Sequence, residues 1–514
     1  MTTPHRASLQ LDGQAVLVVG AGIMGAGIAQ VAAQAGHRVM LFDAREGAAA
    51  QAVAKLAATF DGLVNKGRLT AEDAQAVMSR VEPIAALEHA RDAALVVEAI
   101  IESLDAKRAL FRQLEAVVGT ECVLATNTSS ISVTAIANGL DQPGRLVGMH
   151  FFNPVPLMKL VEVVSGLHTE PDVAEEIFAL SKAWGKVPVH ARSTPGFIVN
   201  RIARPYYAET LALLHEQAAT PQMLDACLRG AGFRMGPCEL MDLIGHDTNF
   251  AVTNSVYEAN FFDKRYMPSL VQRELVDGGF FGRKSGRGFY RYPDGAASLP
   301  VAVFDAPATA REVTVHGEGA IADWLEQAAT VALAPQGWGP ARERGSEWTG
   351  LTVDGARLAL TDGRTACELA AATGKVAIAV FDRPLVLPAP TGTALAYAVN
   401  DAAGDVWRIQ AGAWLAALGF TPLLVADAPG LVVARTVAML INEAADAVQH
   451  GVCSTEGADA AMKLGVNYPA GPFESLARWS VREVVALLAE LDAHYRGERY
   501  RASPWLLRRA LRVA

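Results

Sequence analysis

Residues Ala15–Gly25 read AVLVVGAGIMG, an apolar run followed at once by a glycine-rich turn. The run predicts a buried strand, and the small and apolar residues that come after the turn predict a helix. A glycine turn between a strand and a helix places backbone N–H groups where a pyrophosphate can bind. The segment Gly20-Ala21-Gly22-Ile23-Met24-Gly25 therefore predicts a dinucleotide-binding loop. Gly20 would make the turn, Gly22 would admit the phosphates, and Gly25 would let the helix pack closely on the strand.

A second apolar run, Val39–Phe42, predicts a neighbouring strand that ends at Asp43, 18 residues after Gly25 (43 − 25). A carboxylate at this point accepts hydrogen bonds from a ribose diol and repels a 2′-phosphate. The expected cofactor is therefore NAD rather than NADP. Arg45, two residues further on, leaves NADP open.

The bulk composition bounds the class of protein. A chain of 514 residues is too long for one core, and ~3 or 4 domains are expected. With 51% hydrophobic and 19% charged residues, the chain is globular rather than disordered. A net charge of −9 without a basic run argues against a nucleic-acid partner. No apolar stretch reaches the ~18 residues of a membrane span, and the start, MTTPHRASLQLDGQ, lacks the apolar core of a signal peptide.

The five cysteines are scattered along the chain and include no CxxC pair. This usage predicts a reducing, cytoplasmic location and no metal site.

Strand and helix signals alternate after Asp43. Further strands are expected at 94–97, 122–126, 145–150 and 186–190. The alternation predicts a parallel, doubly wound α/β sheet, a Rossmann-type NAD-binding domain over residues 1–192. Residues 193–292 change to a helical period and predict an all-α domain. Segment 293–426 is the least interpretable part, although 377–381 and 394–399 have strand character.

The end of the chain repeats its middle. Gly185–Arg201 matches Gly419–Arg435 at a constant offset of 234 (419 − 185 and 435 − 201). Residues 427–514 are therefore predicted to be a second, degenerate copy of the helical domain. Because the match begins within the nucleotide domain, segment 293–426 is predicted to be a decayed second nucleotide domain of mixed α/β structure.

Polar side chains cluster where strands end. They lie in Asn127–Ser130, in His150–Pro154 with Glu162 following, and at Asn200 on the first helix of the second domain. The carboxyl ends of parallel strands form the ligand-binding edge of such a sheet. Oxidation of an alcohol needs a base that titrates near neutrality, which a histidine supplies, and a carboxylate behind it fixes the tautomer. Each of these residues alone has an ordinary structural interpretation, but their joint presence on a nucleotide fold predicts a dehydrogenase site.

Five segments together resemble the 3-hydroxyacyl-CoA dehydrogenases of fatty-acid β-oxidation. They are AVLVVGAGIMG, VVEAIIESLDAK, LATNTSSISVT, GMHFFNPVPLMKLVEVV and TPGFIVNRI. The resemblance runs from about Ala15 to Tyr292. It implies that His150 is the catalytic acid/base, that Glu162 is its partner, and that Ser129 and Asn200 contact the substrate's oxygen.

The same resemblance implies further contacts. Glu102, Lys107, Ser129 and Asn153 are expected near the NAD cofactor, beside the glycine loop and Asp43. An acyl-CoA substrate is expected to enter between the two domains, with Lys66 as a partner for a CoA phosphate. A solvated lysine in a polar loop is the alternative for Lys66.

The architecture as a whole, with LGVNYPAGP near its end, resembles the bacterial dehydrogenases of phenylacetate breakdown, which act on 3-hydroxyadipyl-CoA. A buried carboxylate left unpaired is costly, so the pocket for such a substrate should hold a cation. Arg234, in GAGFRMGPCEL, is the candidate, and a surface arginine is the alternative.

Three other functions remain open at this point. A short-chain 3-hydroxybutyryl-CoA dehydrogenase shares every motif, an NADP-linked reductase shares the fold, and a non-catalytic NAD-binding or structural protein would keep the fold without turnover. Ala434 stands where the first copy has Asn200, so the second helical copy is not expected to form another active site. It is expected to pack on the first copy as an internal substitute for a dimer partner, which leaves monomer and homo-oligomer open.

Overall fold

The computed structural model describes residues 11–296, Leu299 and 308–512. The expectations for residues 1–10 and for 297–298, 300–307 and 513–514 lie outside these described residues. The chain divides into two compact units. Unit 1 comprises Met1–Arg201 with His450–Val466, and unit 2 comprises Ile202–Gln449 with Asn467–Ala514.

Unit 1 is built on an eight-stranded sheet flanked by helices. Its strands are β1 (Val16–Val19), β2 (Val39–Phe42), β3 (Val81–Pro83), β4 (Leu95–Glu98), β5 (Val123–Thr126), β6 (Leu146–Phe151), β7 (Leu160–Ser165) and β8 (Val187–Arg192). Its helices are α1 (Ile23–Gln34), α2 (Ala48–Asn65), α3 (Ala71–Met78), α4 (Leu104–Val117), α5 (Val133–Ala137), α6 (Pro171–Ala183) and α7 (Val199–Ile202). The strand order is β3-β2-β1-β4-β5-β6-β7-β8.

The prediction of a wholly parallel sheet is wrong at one place. β7, which the sequence analysis did not identify, runs antiparallel to β6. The two strands are joined by a short connection over residues 152–159, which carries no crossover helix and therefore returns the chain in the opposite direction. The other predicted strands are present with ends shifted by one or two residues.

Unit 2 begins with the first helical copy. Its helices are α8 (Arg204–His215), α9 (Pro221–Gly230), α10 (Pro237–Ile244), α11 (His246–Ala259) and α12 (Leu270–Asp277). The glycine-rich segment 282–288 is a turn, and Asp242 accepts hydrogen bonds from the N–H groups of Phe289 and Tyr290 just beyond it.

A second sheet of seven strands follows. The elements are β9 (Val313–His316), α13 (Ala320–Leu333), β10 (Ala341–Glu343), β11 (Gly350–Val353), β12 (Ala356–Leu360), α14 (Ala366–Thr373), β13 (Ile378–Phe381), β14 (Thr393–Val399), α15 (Gly404–Ala417) and β15 (Phe420–Leu424). The order is β10-β9-β11-β12-β13-β14-β15. Its last four strands repeat the pattern of β5 to β8, with one antiparallel pair between two parallel pairs. The middle segment is therefore a reduced Rossmann-type domain.

The second helical copy closes the chain. Its helices are α16 (Val433–Gln449), α17 (Thr455–Gly465), α18 (Pro472–Arg478), α19 (Val481–Tyr495) and α20 (Pro504–Ala510). The predicted fold class, a Rossmann-type domain, a helical domain, a degenerate α/β segment and a second helical copy, is confirmed.

The two helical copies exchange one helix. In unit 2, α9 of the first copy packs on β14 of the second sheet, and a Cβ on Gly230 would lie 2.9 Å from the backbone oxygen of Ala394. In unit 1, α17 of the second copy packs on β7 and β8, and a Cβ on Gly465 would lie 2.7 Å from Leu160 Cδ2. Each sheet is thus covered by a helix from the copy that is distant in sequence.

Candidate active site

His150 and Glu162 face each other across the antiparallel pair β6–β7. They occupy directly opposed register positions, and His150 Nδ1 lies 2.5 Å from Glu162 Oε2. His150 is 5% exposed and Glu162 is fully buried at 0%. A buried carboxylate at hydrogen-bond distance holds the proton on Nδ1 and leaves Nε2 as the basic nitrogen. Nε2 makes no hydrogen bond within the described part of the chain, so it is available to a ligand.

The second oxygen of Glu162 is fixed by the start of a helix. Oε1 accepts hydrogen bonds from the N–H groups of Ile198 and Val199, both at 3.0 Å. These are N–H groups that a helix leaves without intrahelical partners. The turn before them holds Phe197 at a φ of 46° and Gly196 at a φ of 75°. The TPGF sequence thereby aims two backbone donors at the carboxylate that orients His150.

Asn200 follows directly on the same helix, α7. Its Nδ2 lies 3.4 Å from the backbone oxygen of Ser129, which comes just after β5. The structure therefore brings all four predicted catalytic residues, His150, Glu162, Ser129 and Asn200, together within unit 1.

Glu102 anchors the Ser129 loop. Its Oε1 accepts hydrogen bonds from the Thr128 hydroxyl at 2.7 Å, from the Ser129 N–H at 3.0 Å and from the Ser130 hydroxyl at 2.9 Å. Burial would raise the pKa of Glu102, but the hydrogen bond from Thr128 and the charge of Lys107 hold it below its usual value. The side chain stays ionised and can act only as an acceptor.

Glu98, at the end of β4, is a site residue that the sequence analysis missed. It is fully buried, and its Oε1 pairs with Lys107 Nζ at 2.6 Å while Oε2 accepts the Thr126 hydroxyl proton at 2.7 Å. Lys107 is itself 1% exposed and also lies 3.4 Å from Glu102 Oε2. A glutamate inside the apolar run LVVEAI was the available signal, because a buried charge must be paired.

The glycine loop fits the pyrophosphate of a dinucleotide. A Cβ on Gly20 would lie 2.4 Å from Ala99 O and one on Gly25 would lie 1.7 Å from Gly20 O, whereas a Cβ on Gly22 would meet nothing within 4 Å. Two glycines are therefore required by close packing, and the third leaves open space at the N-terminus of α1.

Asp43 lies at the end of β2, as predicted. Its Oδ2 accepts a hydrogen bond from Ala21 N at 2.8 Å, and Arg45 Nε lies 3.1 Å from Oδ1. Burial would raise the pKa of Asp43, but the hydrogen bonds from Arg45 and Ala21 lower it overall. A cavity of about 450 Å³ borders Gly22, Arg45 and the exposed Asn153. These residues suit NAD, with an ionised carboxylate at the position of the ribose diol.

Two further predicted substrate contacts are Lys66 and Arg234. Lys66 ends α2 in unit 1 and is exposed, and Arg234 lies on an exposed turn of unit 2. Neither forms an ion pair within the residues that the structure describes.

The second half carries a disabled counterpart of the site. Ala396 corresponds to Glu162, since it pairs with Leu423 as Glu162 pairs with Val189, 234 residues earlier (423 − 189). The β13–β14 register then puts Asp382 opposite Ala396, as His150 lies opposite Glu162. Asp382 accepts hydrogen bonds from the N–H groups of Val432, Val433 and Ala434, the counterparts of Ile198, Val199 and Asn200. A carboxylate still binds the N–H groups at the start of the helix, but no residue of the second half corresponds in chemistry to the base His150 or to the amide of Asn200.

None of the helices in the described part of the chain is long and apolar enough to cross a membrane.

Comparison with known proteins agrees with this geometry. Residues 15–194 match the 3-hydroxyacyl-CoA dehydrogenase NAD binding domain, and residues 196–292 and 430–511 both match the C-terminal domain of the same family. Residues 358–429 match the 3-hydroxybutyryl-CoA dehydrogenase reduced Rossmann-fold domain. These matches confirm the duplicated helical domain and the decayed nucleotide domain between its copies.

Full-length relatives share the whole arrangement. The chain is 44% identical over 98% of both chains to 3-hydroxyadipyl-CoA dehydrogenase of Escherichia coli. It superposes with a TM-score of 0.86 and 42% identity on a crystal structure of 3-hydroxybutyryl-CoA dehydrogenase from Escherichia coli, covering 97% of this chain and 98% of that one. The human mitochondrial hydroxyacyl-coenzyme A dehydrogenase is 39% identical over 54% of this chain and 90% of its own length. The chain therefore belongs to the 3-hydroxyacyl-CoA dehydrogenase family of NAD-dependent oxidoreductases.

Proposed function

We propose that His150 is the acid/base of this enzyme and that Glu162, Ser129 and Asn200 complete its catalytic site. The observation that carries the proposal is the buried pair of His150 Nδ1 and Glu162 Oε2 at 2.5 Å, which leaves Nε2 without a hydrogen bond among the described residues. In the oxidation of a 3-hydroxyacyl-CoA, Nε2 takes the proton of the 3-hydroxyl group. Bound NAD would accept the hydride that leaves C3 of the substrate. Glu162 stabilises the imidazolium that this proton creates.

The hydroxyl of Ser129 and the amide of Asn200 donate hydrogen bonds to the substrate's oxygen as its charge changes. Glu102 supports Ser129 by accepting hydrogen bonds from its backbone N–H and from that of Ser130. Lys107 and Asn153 complete the proposed cofactor contacts, together with the glycine loop and Asp43. Lys66, exposed and without an ion pair in the described part of the chain, is the proposed partner of a CoA phosphate.

The proposed substrate is (S)-3-hydroxyadipyl-CoA, which would place the enzyme in phenylacetate catabolism. Its support is the relative named for that substrate, which matches over the whole chain. The superposed crystal structure is named for 3-hydroxybutyryl-CoA instead, so this short-chain substrate is the second candidate. Arg234, an exposed cation without an ion pair in the described structure, is the proposed partner of the terminal carboxylate.

The test compares kcat/KM for 3-hydroxyadipyl-CoA and 3-hydroxybutyryl-CoA by following NAD reduction, with His150→Gln as the inactive control. A preference of about 10-fold or more for the adipyl substrate, worth about 1.4 kcal/mol in the transition state, supports the assignment. A preference for the butyryl substrate rejects the adipyl assignment. Turnover that survives His150→Gln rejects the mechanism.

Arg234→Met then tests the carboxylate contact. This substitution should raise KM for the adipyl substrate far more than for the butyryl substrate, because only the former presents a second carboxylate. Arg273→Met, which removes an exposed arginine that pairs with Asp277 on α12, is the matched control and should leave both KM values unchanged. Equal effects of Arg234→Met on both substrates would reject the contact.

We further propose that the second helical copy replaces a partner subunit and that the enzyme works in the cytoplasm. In support, Arg435 of α16 is fully buried and pairs with Glu209 of α8 at 2.7 Å, which joins the two copies inside unit 2. None of the five cysteines forms a disulfide, as expected in a reducing compartment. Sedimentation equilibrium should give the mass of one chain, and a mass of two chains would reject the replacement.

A further inference from the structure

A cavity of about 690 Å³ lies in unit 2, at the edge of the second sheet where β12 and β13 end. It is bordered by the loop between β9 and α13, by the segment that follows β13, by α16 and by residues 468–483. This volume is in the range of small-molecule sites, which are largely apolar with a few placed polar groups. Nothing in the proposed reaction uses it.

The cavity is not a second NAD site. Gly317 N donates to Glu343 O as Gly20 N donates to Phe42 O, so Gly317–Ala322 (GEGAIA) is the counterpart of the glycine loop. However, Glu318 stands where the first loop has Ala21, and its carboxylate repels a pyrophosphate. Arg344 stands where the first sheet has Asp43, so the acceptor for a ribose diol is missing as well.

A buried arginine faces the cavity instead. Arg383, which follows Asp382, is 7% exposed, and its guanidinium lies 4.4 Å from the centre of the Trp479 ring. Its Nη2 donates to Glu483 at 2.7 Å, but Nε and Nη1 make no hydrogen bond to any residue that the structure describes. The counterpart of Arg383 in the first half is the core residue Phe151. A charged side chain has therefore taken an apolar position, and its Nε and Nη1 donors are unused.

The remaining walls suit an aliphatic chain. They include Leu385, Val386, Leu387, Leu440 and Ile441. Arg478, also on the border of the cavity, is exposed and forms no ion pair among the described residues. The unused Nη1 of Arg383 can donate to a carboxylate oxygen, and hydrogen bonds between a guanidinium and a carboxylate are among the strong ones.

We propose that this cavity binds an amphipathic carboxylate, an acyl chain of medium length whose carboxylate accepts a hydrogen bond from Nη1 of Arg383. Glu483 already accepts from Nη2, so the guanidinium takes one further anion. The ligand is bound without being turned over, because Asp382 has all its described hydrogen bonds from backbone N–H groups and Ala396 and Ala434 replace the other functional positions.

The test uses the full chain with its catalytic site filled by NAD and a 3-oxoacyl-CoA, a pair that cannot react with each other. Hexanoate is then titrated by calorimetry, and hexanamide serves as its uncharged match. We expect one hexanoate per chain, at least 10-fold weaker binding of hexanamide, and at least 10-fold weaker hexanoate binding by Arg383→Leu. Equal binding of the amide, or no saturable binding of hexanoate, would overturn the proposal.

A second variant tests the same site in case Arg383→Leu does not fold. Ala470→Trp places an indole in the cavity while Arg383 and Glu483 stay unsubstituted, and it should abolish hexanoate binding. Ala493→Trp, on the exposed face of α19 outside the cavity, is its matched control and should bind as the unmodified chain does. Hexanoate binding that survives Ala470→Trp would place the ligand elsewhere and reject the site.

Discussion

Replacing Glu162 by glutamine tests the centre of the proposed mechanism. The change keeps the size of the side chain, and its amide oxygen can still accept the N–H groups of Ile198 and Val199 at 3.0 Å. The amide nitrogen then faces His150 Nδ1, where the carboxylate oxygen stood at 2.5 Å. Because an amide N–H donates to Nδ1, the imidazole proton moves to Nε2, and the nitrogen that should accept the substrate's proton is blocked.

The size of the effect follows from burial. Glu162 is 0% exposed, so water cannot replace the lost charge beside the imidazolium. The corresponding carboxylate-to-amide change in a histidine–acid pair costs about 10⁴ in rate. We therefore expect kcat to fall by about 10³ to 10⁴, or about 4 to 5.5 kcal/mol in activation free energy.

The assay is steady-state NAD reduction with a 3-hydroxyacyl-CoA, with thermal unfolding as a check of the fold. The chain offers a matched control in Glu175→Gln, since Glu175 Oε1 lies 3.4 Å from His190 Nε2 in a pair whose side chains are 71% and 45% exposed. An exposed pair contributes little, so kcat should change less than about 2-fold. A loss of kcat below 10-fold for Glu162→Gln, or a change in KM alone, would refute the reasoning.

Three more outcomes are expected. Asn200→Ala should lower kcat/KM by about 100-fold, because it removes a donor to the substrate's oxygen, measured by initial rates. Asp225→Asn should change the pH dependence of stability in urea unfolding, since burial raises the pKa of Asp225 to about 6. Ionisation is disfavoured in the folded state, so the unmodified chain should lose about 2 kcal/mol of unfolding free energy relative to this variant as the pH rises from 4 to 7. Gly465→Val should destabilise unit 1 by about 1 to 3 kcal/mol in thermal unfolding, because its side chain meets Leu160 and Val199.

Each of these outcomes has a control. Ala434→Asn restores the amide in the second copy and should leave the rate unchanged, and a similar loss from both substitutions would contradict the role of Asn200. If the difference in unfolding free energy between Asp225→Asn and the unmodified chain did not change with pH, this would contradict the raised pKa of Asp225. Gly62→Val in α2, where a Cβ meets nothing within 4 Å, should lower the stability less than Gly465→Val does. Equal losses of stability would contradict the close packing of α17.

The sequence predicted the residues of the candidate site better than their geometry. His150, Glu162 and the glycine loop were identifiable because polar or glycine residues interrupt apolar strands at the ligand-binding edge. Their alignment across β6 and β7 was not, since an antiparallel return is set by pairing between strands rather than by local pattern. The hydrogen bonds that Ile198 and Val199 donate to Glu162 were also missed, because backbone N–H donors cannot be recognised from the identity of the side chains.

The second half shows the same limit more strongly. Its helical copy was visible through the constant offset of 234 (435 − 201), but the reduced sheet was only partly recognisable. Two of its strands, β13 and β14, were predicted from their apolar runs. The loop Gly317–Ala322 lacks the last glycine of the motif, and an alanine at that position is compatible with the same turn.

The exchange of α9 and α17 has a consequence for a shortened chain. A chain ending at Tyr292, close to the extent of the single-copy relatives, would retain His150 and Glu162 but would lack α17 over β7 and β8. The outer strand β8 would then offer unpaired backbone groups where Arg192 N now donates to Val452 O at 2.9 Å. Such a fragment would have to borrow this cover from another molecule, so its activity would depend on protein concentration, whereas the intact chain carries the cover in its own sequence.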